Sequence, residues 1–237
     1  KTVWETVDLD ERVNFPLYYP TDTIGIGLDR RSLYHVLMKN IANGKLTEVY
    51  TDSYFTEKRT LDDLTATLSK VDTTDYGYDQ LNAGEQISAE YINQRDLSAA
   101  DIEEYRIKGI WYFDKRQGEL KYRLLGIAPV APDVNFIDDE SVDPGENKVE
   151  LFWVWYPAAR QILHEAKVYN QRNSARPITF DALLNARRFN GVIYKEDNVH
   201  GDREIDDYVF DNALFQLLEA KRIKEVIRDR EQDMWAY

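Results

Sequence analysis

Cysteine is absent from the 237 residues. A disulfide framework is therefore impossible, and zinc sites built on thiolate fall with it. Histidine is scarce: His35, His164 and His200 are all there are. None has a second histidine three or four residues away, the spacing that aims two imidazoles at one metal. Long apolar runs are missing, and no stretch approaches the ~20 residues that span a bilayer. Positive charge is in deficit, with 30 Lys+Arg against 43 Asp+Glu and a net charge of −13. Nucleic-acid binding needs a basic face, and so does simple electrostatic attachment to anionic lipid. No GxSxG elbow, P-loop or GxGxxG is found. IGIGLD (Ile24–Asp29) has two glycines but no third and follows YYPTDT rather than a strand, so it reads as a flexible loop. The first residues, KTVWETVDLDER, lack the apolar core of a signal peptide. That decides nothing about location, since a leader is removed from a mature chain.

What is present is apolar bulk, 43% of residues with 13% aromatic, enough to bury a core. Lys1–Asp8 reads as a short strand running into a helix start at DLDER, with Asp8 as its N-cap. NFPLYYP breaks regular structure with two prolines. Ser32 is placed to cap a helix through LYHVLMKNIAN, with Leu33, Val36, Leu37 and Ile41 as its buried stripe and Gly44 as its stop. KLTEVY follows as a strand. From Ile102 to Ala131 the pattern alternates, turns at KRQG and alternates again, a β-hairpin. Gly109 inside its first strand marks a candidate bulge. Pro132–Lys148 is acidic and turn-rich, a long exposed loop of the kind that carries contacts. The chain closes on a helix from about Asp207 to Met234, whose apolar face is Phe210, Leu214, Leu217, Ala220, Ile223 and Ile227.

LFWVWYPAAR (Leu151–Arg160) is apolar on both faces of a strand, with Leu151, Trp153 and Trp155 on one side and Phe152, Val154 and Tyr156 on the other. That pattern suits a strand covered on both sides. Pro157 lacks an N–H and fits the first turn of a helix, Pro157–Val168, with Ala159, Ile162, Leu163 and Ala166 inward. Two other readings stay open for the tryptophans: a stacking platform for sugar, or an interface anchor.

Two halves of the chain share an order of elements. Ser32, Leu33, Leu37, Asn43 and Gly44 precede Thr179, Phe180, Leu184, Asn190 and Gly191 by 147 positions, and Arg12 precedes Arg160 by 148. At an offset of 144, Tyr50 matches Tyr194, and RTLDDL (Arg59–Leu64) matches REIDDY (Arg203–Tyr208). This predicts an α+β protein of two duplicated lobes with short antiparallel sheets and a long C-terminal helix. The first lobe is 1–95; the hairpin and the second lobe fill 96–237. The loop EDNVHGDREIDD (Glu196–Asp207) sets Glu196, Asn198, His200, Gly201 and Asp207 at calcium-loop positions 1, 3, 5, 6 and 12, but required carboxylates are missing and Arg203 sits inside. It reads instead as a turn capping a following helix, with Asp202 and Asp206 near the N-terminus. No metal, cofactor or catalytic set is expected.

Four stretches together carry a resemblance: NFPLYYP (Asn14–Pro20), YRLLGIAPV (Tyr122–Val130), LFWVWYPAAR and DREIDDY (Asp202–Tyr208). The chain resembles the GldN family, also called PorN, gliding-motility components of the Bacteroidetes type IX secretion machinery. The similarity runs over nearly the whole chain. The resemblance implies a periplasmic, non-enzymatic subunit of a ring beneath the outer membrane, built with the lipoprotein GldK (PorK). The inner-membrane proteins GldL and GldM complete the assembly. It also implies a leader, and terminal extensions, beyond this stretch. The residues nominated for partner contact are Asp138, Asp139 and Glu140 in the acidic loop, the C-terminal helix, and Trp153 and Trp155. The alternative is a periplasmic glycan- or peptide-binding module, which a cleft lined by Trp111, Trp153 or Trp155 would favour. A carboxylate-based hydrolase would need two close acids in a pocket, one with a shifted pKa.

Overall fold

The protein is described by a computed structural model covering all residues except 26–29, 85, 87, 137–146, 171–175, 211 and 236–237. The first strand, β1 (Thr2–Asp8), forms as expected. No helix starts at DLDER: the Asp8 carboxylate accepts from Asp10 N–H at 2.9 Å in a turn instead. The helix comes later, as α1 (Phe15–Tyr18), because Pro16 fits a first turn, where its missing N–H costs nothing. Next comes α2 (Leu33–Ala42), capped by Ser32, whose hydroxyl accepts from His35 N–H, and stopped at Gly44, which takes a φ of 67°. KLTEVY contributes only β2 (Val49–Tyr50). A capping box between Thr60 and Asp63 starts α3 (Leu61–Leu68). A satellite follows, made of β3 (Ser69–Thr73), α4 (Asp75–Asn82) and β4 (Ile92–Asp96), with β3 and β4 paired only to each other.

The predicted hairpin is β5 (Glu104–Asp114) and β6 (Glu119–Pro132), turning through Gly118 at φ 68°. Its register slips opposite Lys108 and Gly109, but the extra residue is Leu125 on β6, so the bulge lies across from Gly109 rather than in the first strand. Then follow β7 (Lys148–Glu150), β8 (Trp153–Trp155) and α5 (Tyr156–Glu165). The helix α5 ends before Val168 because Ala166 turns extended and β9 (Lys167–Val168) pairs with β10 (Ile178–Thr179). The remaining elements are α6 (Phe180–Asn185), capped by Thr179, then β11 (Val192–Glu196) and α7 (Ala213–Trp235). The expected start of α7 at Asp207 is six residues early. The segment before it is turns, and Asn212 caps the helix by accepting from Phe215 N–H at 3.1 Å. Asp202 and Asp206 therefore do not sit at its N-terminus.

One antiparallel sheet runs through both halves in the order β11-β1-β5-β6-β8-β2, with β7 added beside β6. Two pairings join the first half to the second at the outer parts of the sheet: β1 with β11, and β8 with β2. The hairpin β5–β6 fills the middle. Along β1, Val3, Glu5 and Val7 point to one face and Trp4 to the other. Val7, Tyr105 and Ile107 join the main core with α2, α5 and α6. Val3 and Ile193 meet Ala220, Ile223 and Ile227 of α7. On the opposite face Trp4, Ala128 and Trp153 pack with Tyr50, Phe55 and Tyr194. That face is covered by the segments following β2 and β11, which touch where Tyr54 Oη donates to Asp202 Oδ2 at 3.1 Å.

Candidate functional site

The tryptophans decide between platform and core. Trp153 is fully buried, with its indole N–H donated to Glu150, so it cannot stack a sugar. Leu151, Phe152 and Val154 are buried as well, as the two-sided pattern required. Trp155 is half-buried and meets Phe55 edge-on at 4.8 Å. Trp111 lines a cleft of about 520 Å³ with Tyr112, Phe113, Val226 and Arg230, between the hairpin and the C-terminal half of α7. Asp138, Asp139 and Glu140 lie outside the described residues.

Several of the sheet's aromatic rings, Trp111 among them, are met by the protein's own cations. On the segment-covered face the buried Lys108 Nζ sits 4.7 Å from the Trp4 ring, 4.5 Å from Tyr54 and 5.5 Å from Phe55. It donates to Ser53 O at 2.8 Å. Burial lowers its pKa, and the nearby Asp202 and Asp52 carboxylates work against that shift. Arg106 lies 4.8 Å over Tyr194 and bonds Glu150 at 2.6 Å. On the helical face Arg187 lies 4.1 Å over Tyr122 and 5.3 Å over Trp111, and its Nη2 donates to both oxygens of the buried Glu5 at 2.9 and 2.7 Å. Such contacts hold the rings in place and fill the positions a ligand cation would take.

Two glycines let these clusters close. A Cβ on Gly109 would stand 2.0 Å from Tyr122 Oη, and one on Gly126 would stand 2.5 Å from the Phe55 ring. Helices α5 and α6 are joined through Asp181, which accepts from Tyr156 Oη at 2.7 Å, Arg160 Nε at 3.0 Å and Asn185 Nδ2 at 2.7 Å. Burial pushes the Asp181 pKa up, but these donors outweigh it and hold it below the ordinary carboxylate value. Asn14, fully buried, ties the N-terminal stretch to the second half by accepting from Asn190 N–H at 2.8 Å.

Among the described residues no group of three or more His, Asp or Glu is placed to hold a metal ion. The calcium-like loop is instead closed on itself: Asn198 N–H donates to Asp202, His200 N–H donates to the Asn198 side chain, and Lys1 takes Glu196 at 2.8 Å.

The exposed apolar residues concentrate on α7 and just before it. The sequence put Phe210, Leu214, Leu217, Ala220, Ile223 and Ile227 on one inward face, but only the last three are buried. Phe210, Leu214, Phe215, Leu217 and Leu218 are 51–74% exposed. At 100° per residue, Leu214, Phe215 and Leu218 fall on the side opposite Ala220 and Ile223. The N-terminal half of α7 is thus apolar on its solvent side. The sequence showed the apolar residues but not which of them the core would take.

The sheet lined by its own cations, together with the long helix left apolar on its outer side, defines an α+β protein whose conspicuous surface feature is an exposed apolar helix face. Its family is a defined one. The chain belongs to the GldN family: the model for "Gliding motility associated protein GldN" matches residues 1–236. No curated protein matches the chain. Family membership ties it to gliding motility and the type IX secretion machinery. No described helix is long and apolar enough to cross a membrane.

Proposed function

We propose that the chain is a non-enzymatic structural subunit of a periplasmic ring of the type IX secretion and gliding machinery. It assembles with the GldK/PorK lipoprotein and connects to the GldL and GldM components of the inner membrane. The observation that carries this reading is the solvent-facing apolar stretch of α7. Covering Leu214, Phe215, Leu217 and Leu218, each already about half buried, would contribute on the order of 5 kcal/mol. Contiguous exposed apolar patches on soluble proteins mark interaction sites. The triple substitution Leu214→Glu, Phe215→Glu and Leu218→Glu should abolish co-purification with the lipoprotein and leave the thermal melt of the subunit unchanged. Undiminished co-purification would remove α7 from the interface. Charge reversal at Asp138, Asp139 and Glu140 tests the acidic loop in the same assay, and Trp155→Ala tests the half-buried tryptophan.

The division into 1–95 and 96–237 belongs to the same proposal, as two related units that exchange strands. The sheet order supports a relation of the two units about the central hairpin, because swapping β1 with β8, β2 with β11 and β5 with β6 gives the same order read from the other edge. The capped helices α2 and α6 also precede equivalent strands.

A glycan- or peptide-binding role has one observation in its favour, the cleft bearing Trp111, Tyr112 and Phe113. Tryptophan fluorescence titrated with soluble peptidoglycan fragments tests it: a saturable change that disappears in Trp111→Ala would support this second reading.

A further inference from the structure

The protein carries a net charge of −13, yet one concave region has the opposite sign. A cleft of about 350 Å³ lies between α2, the end of α5 and β9. Among the described residues its walls carry Arg31, His35, Lys39, Lys45 and Lys167 and one carboxylate, Glu165. Lys39 and Lys45 are exposed, and among the described residues neither has a carboxylate within ion-pair distance. Val36, Ile162 and Ala166 are its apolar lining residues.

Helix formation alone does not explain this grouping. A lysine in the last turn of α2 offsets the helix dipole, and Lys39 is the one basic residue in that turn. Arg31 precedes the helix, Lys45 follows it, and Lys167 comes from another strand. The sign of the local field is felt by His35: burial, then the Arg31 and Lys39 cations, push its pKa below the ordinary value.

We propose that this cleft is a docking groove for a short extended acidic segment of a partner protein. The ten residues of α2 extend about 15 Å, a length that an extended peptide covers in about five residues. Alternating side chains would set carboxylates against the basic residues and apolar groups against Val36 and Ile162. The concave shape and the acidic remainder of the molecule favour a peptide over an anionic bilayer, which would meet the net negative charge at close range. The groove shares no residue with α7 and so adds a second contact of different chemistry.

The test uses the full chain and a fluorescein-labelled octapeptide of alternating Glu and Val, followed by anisotropy. Saturable binding is expected, weakening at least about tenfold in Lys39→Glu/Lys45→Glu and severalfold when salt rises from about 50 to 300 mM. The neutral pair Lys39→Gln/Lys45→Gln should fall between, and a Lys-Val octapeptide should not bind. Both lysines are exposed, so circular dichroism melts of the Gln pair should stay close to the wild type, and those of the Glu pair should fall by only a few degrees, from the lost helix-dipole contact of Lys39. Equal binding by the charge-reversed variant would overturn the proposal. So would binding of inorganic phosphate or phosphatidylglycerol vesicles without binding of the peptide.

Discussion

Replacing Gly109 with alanine should destabilise the protein far more than the loss of one hydrogen suggests. Gly109 lies on β5 opposite the β6 bulge, and the Tyr122 ring occupies the space where a Cβ would stand. An alanine Cβ would stand 2.0 Å from Tyr122 Oη and 2.1 Å from Cζ, far inside contact distance. The ring cannot swing freely, because Arg187 covers it at 4.1 Å and Trp111 meets it at 5.0 Å. Arg187 in turn is fixed on the buried Glu5. Overpacking of this kind costs about 1–3 kcal/mol. Displacing the ring also loses a cation–π contact of about 1 kcal/mol and a ring–ring contact of about 1 kcal/mol. The smaller unfolded-state entropy of alanine returns about 0.5 kcal/mol. The net is about 3 kcal/mol, or a fall in melting temperature of roughly 10 °C for a chain of this length. The assay is a double-mutant cycle by thermal or urea unfolding. In a Tyr122→Ala background, Gly109→Ala should cost less than about 1 kcal/mol, because the clashing ring is gone. Additive costs, or a shift under about 2 °C for Gly109→Ala alone, would refute the close-approach reasoning.

Asp181→Asn should cost about 2–3 kcal/mol at neutral pH, since Arg160 and Tyr156 lose a charged acceptor. The folded pKa of Asp181 lies below its ordinary 3.8. Its contribution is therefore complete above that value and lost as pH falls through the folded pKa. Wild type and variant should differ at pH 6 and converge in strong acid; a constant gap in urea midpoints across that range would count against the assignment. Trp153→Ala, in the buried cluster, should cost about 3–5 kcal/mol, and Trp155→Ala about half as much; denaturant unfolding that reverses this order would contradict the burial difference. Segments 1–95 and 96–237 expressed apart should each lack a cooperative melt and regain one when mixed, because β1 lies between β11 and β5. A cooperative melt from 96–237 alone would defeat the strand-exchange proposal.

Local features of this fold were legible wherever local chemistry decides structure. Ser32 and Gly44 bracket α2 because caps act within one turn. The hairpin follows from alternation and turn residues, although its bulge falls at Leu125 on β6 and not at Gly109. LFWVWY reads as two-sided core because it leaves no polar face. The errors came where a competing contact intervened. Expected helix at Lys167–Val168 became strand, since Ile178–Thr179 offers a pairing partner ten residues on. Asp8 looked like a cap but serves a turn, and α7 starts at Asn212 rather than Asp207 because turns satisfy the intervening backbone.

By itself the sequence determined the α+β class, the cap and stop of α2, the hairpin, the lack of thiolate chemistry and, through four stretches, the family resemblance. All of these depend on residue type and near-neighbour spacing. Tertiary structure alone decided that β1 pairs with β11 and β8 with β2, that Lys108 and Arg187 fill the aromatic clusters, and that half of the α7 stripe faces water. It also gathered Arg31, Lys39, Lys45 and Lys167 into one cleft. Each of these joins residues far apart in the chain, and the free energy of such contacts depends on which surfaces meet, a quantity that no local pattern carries.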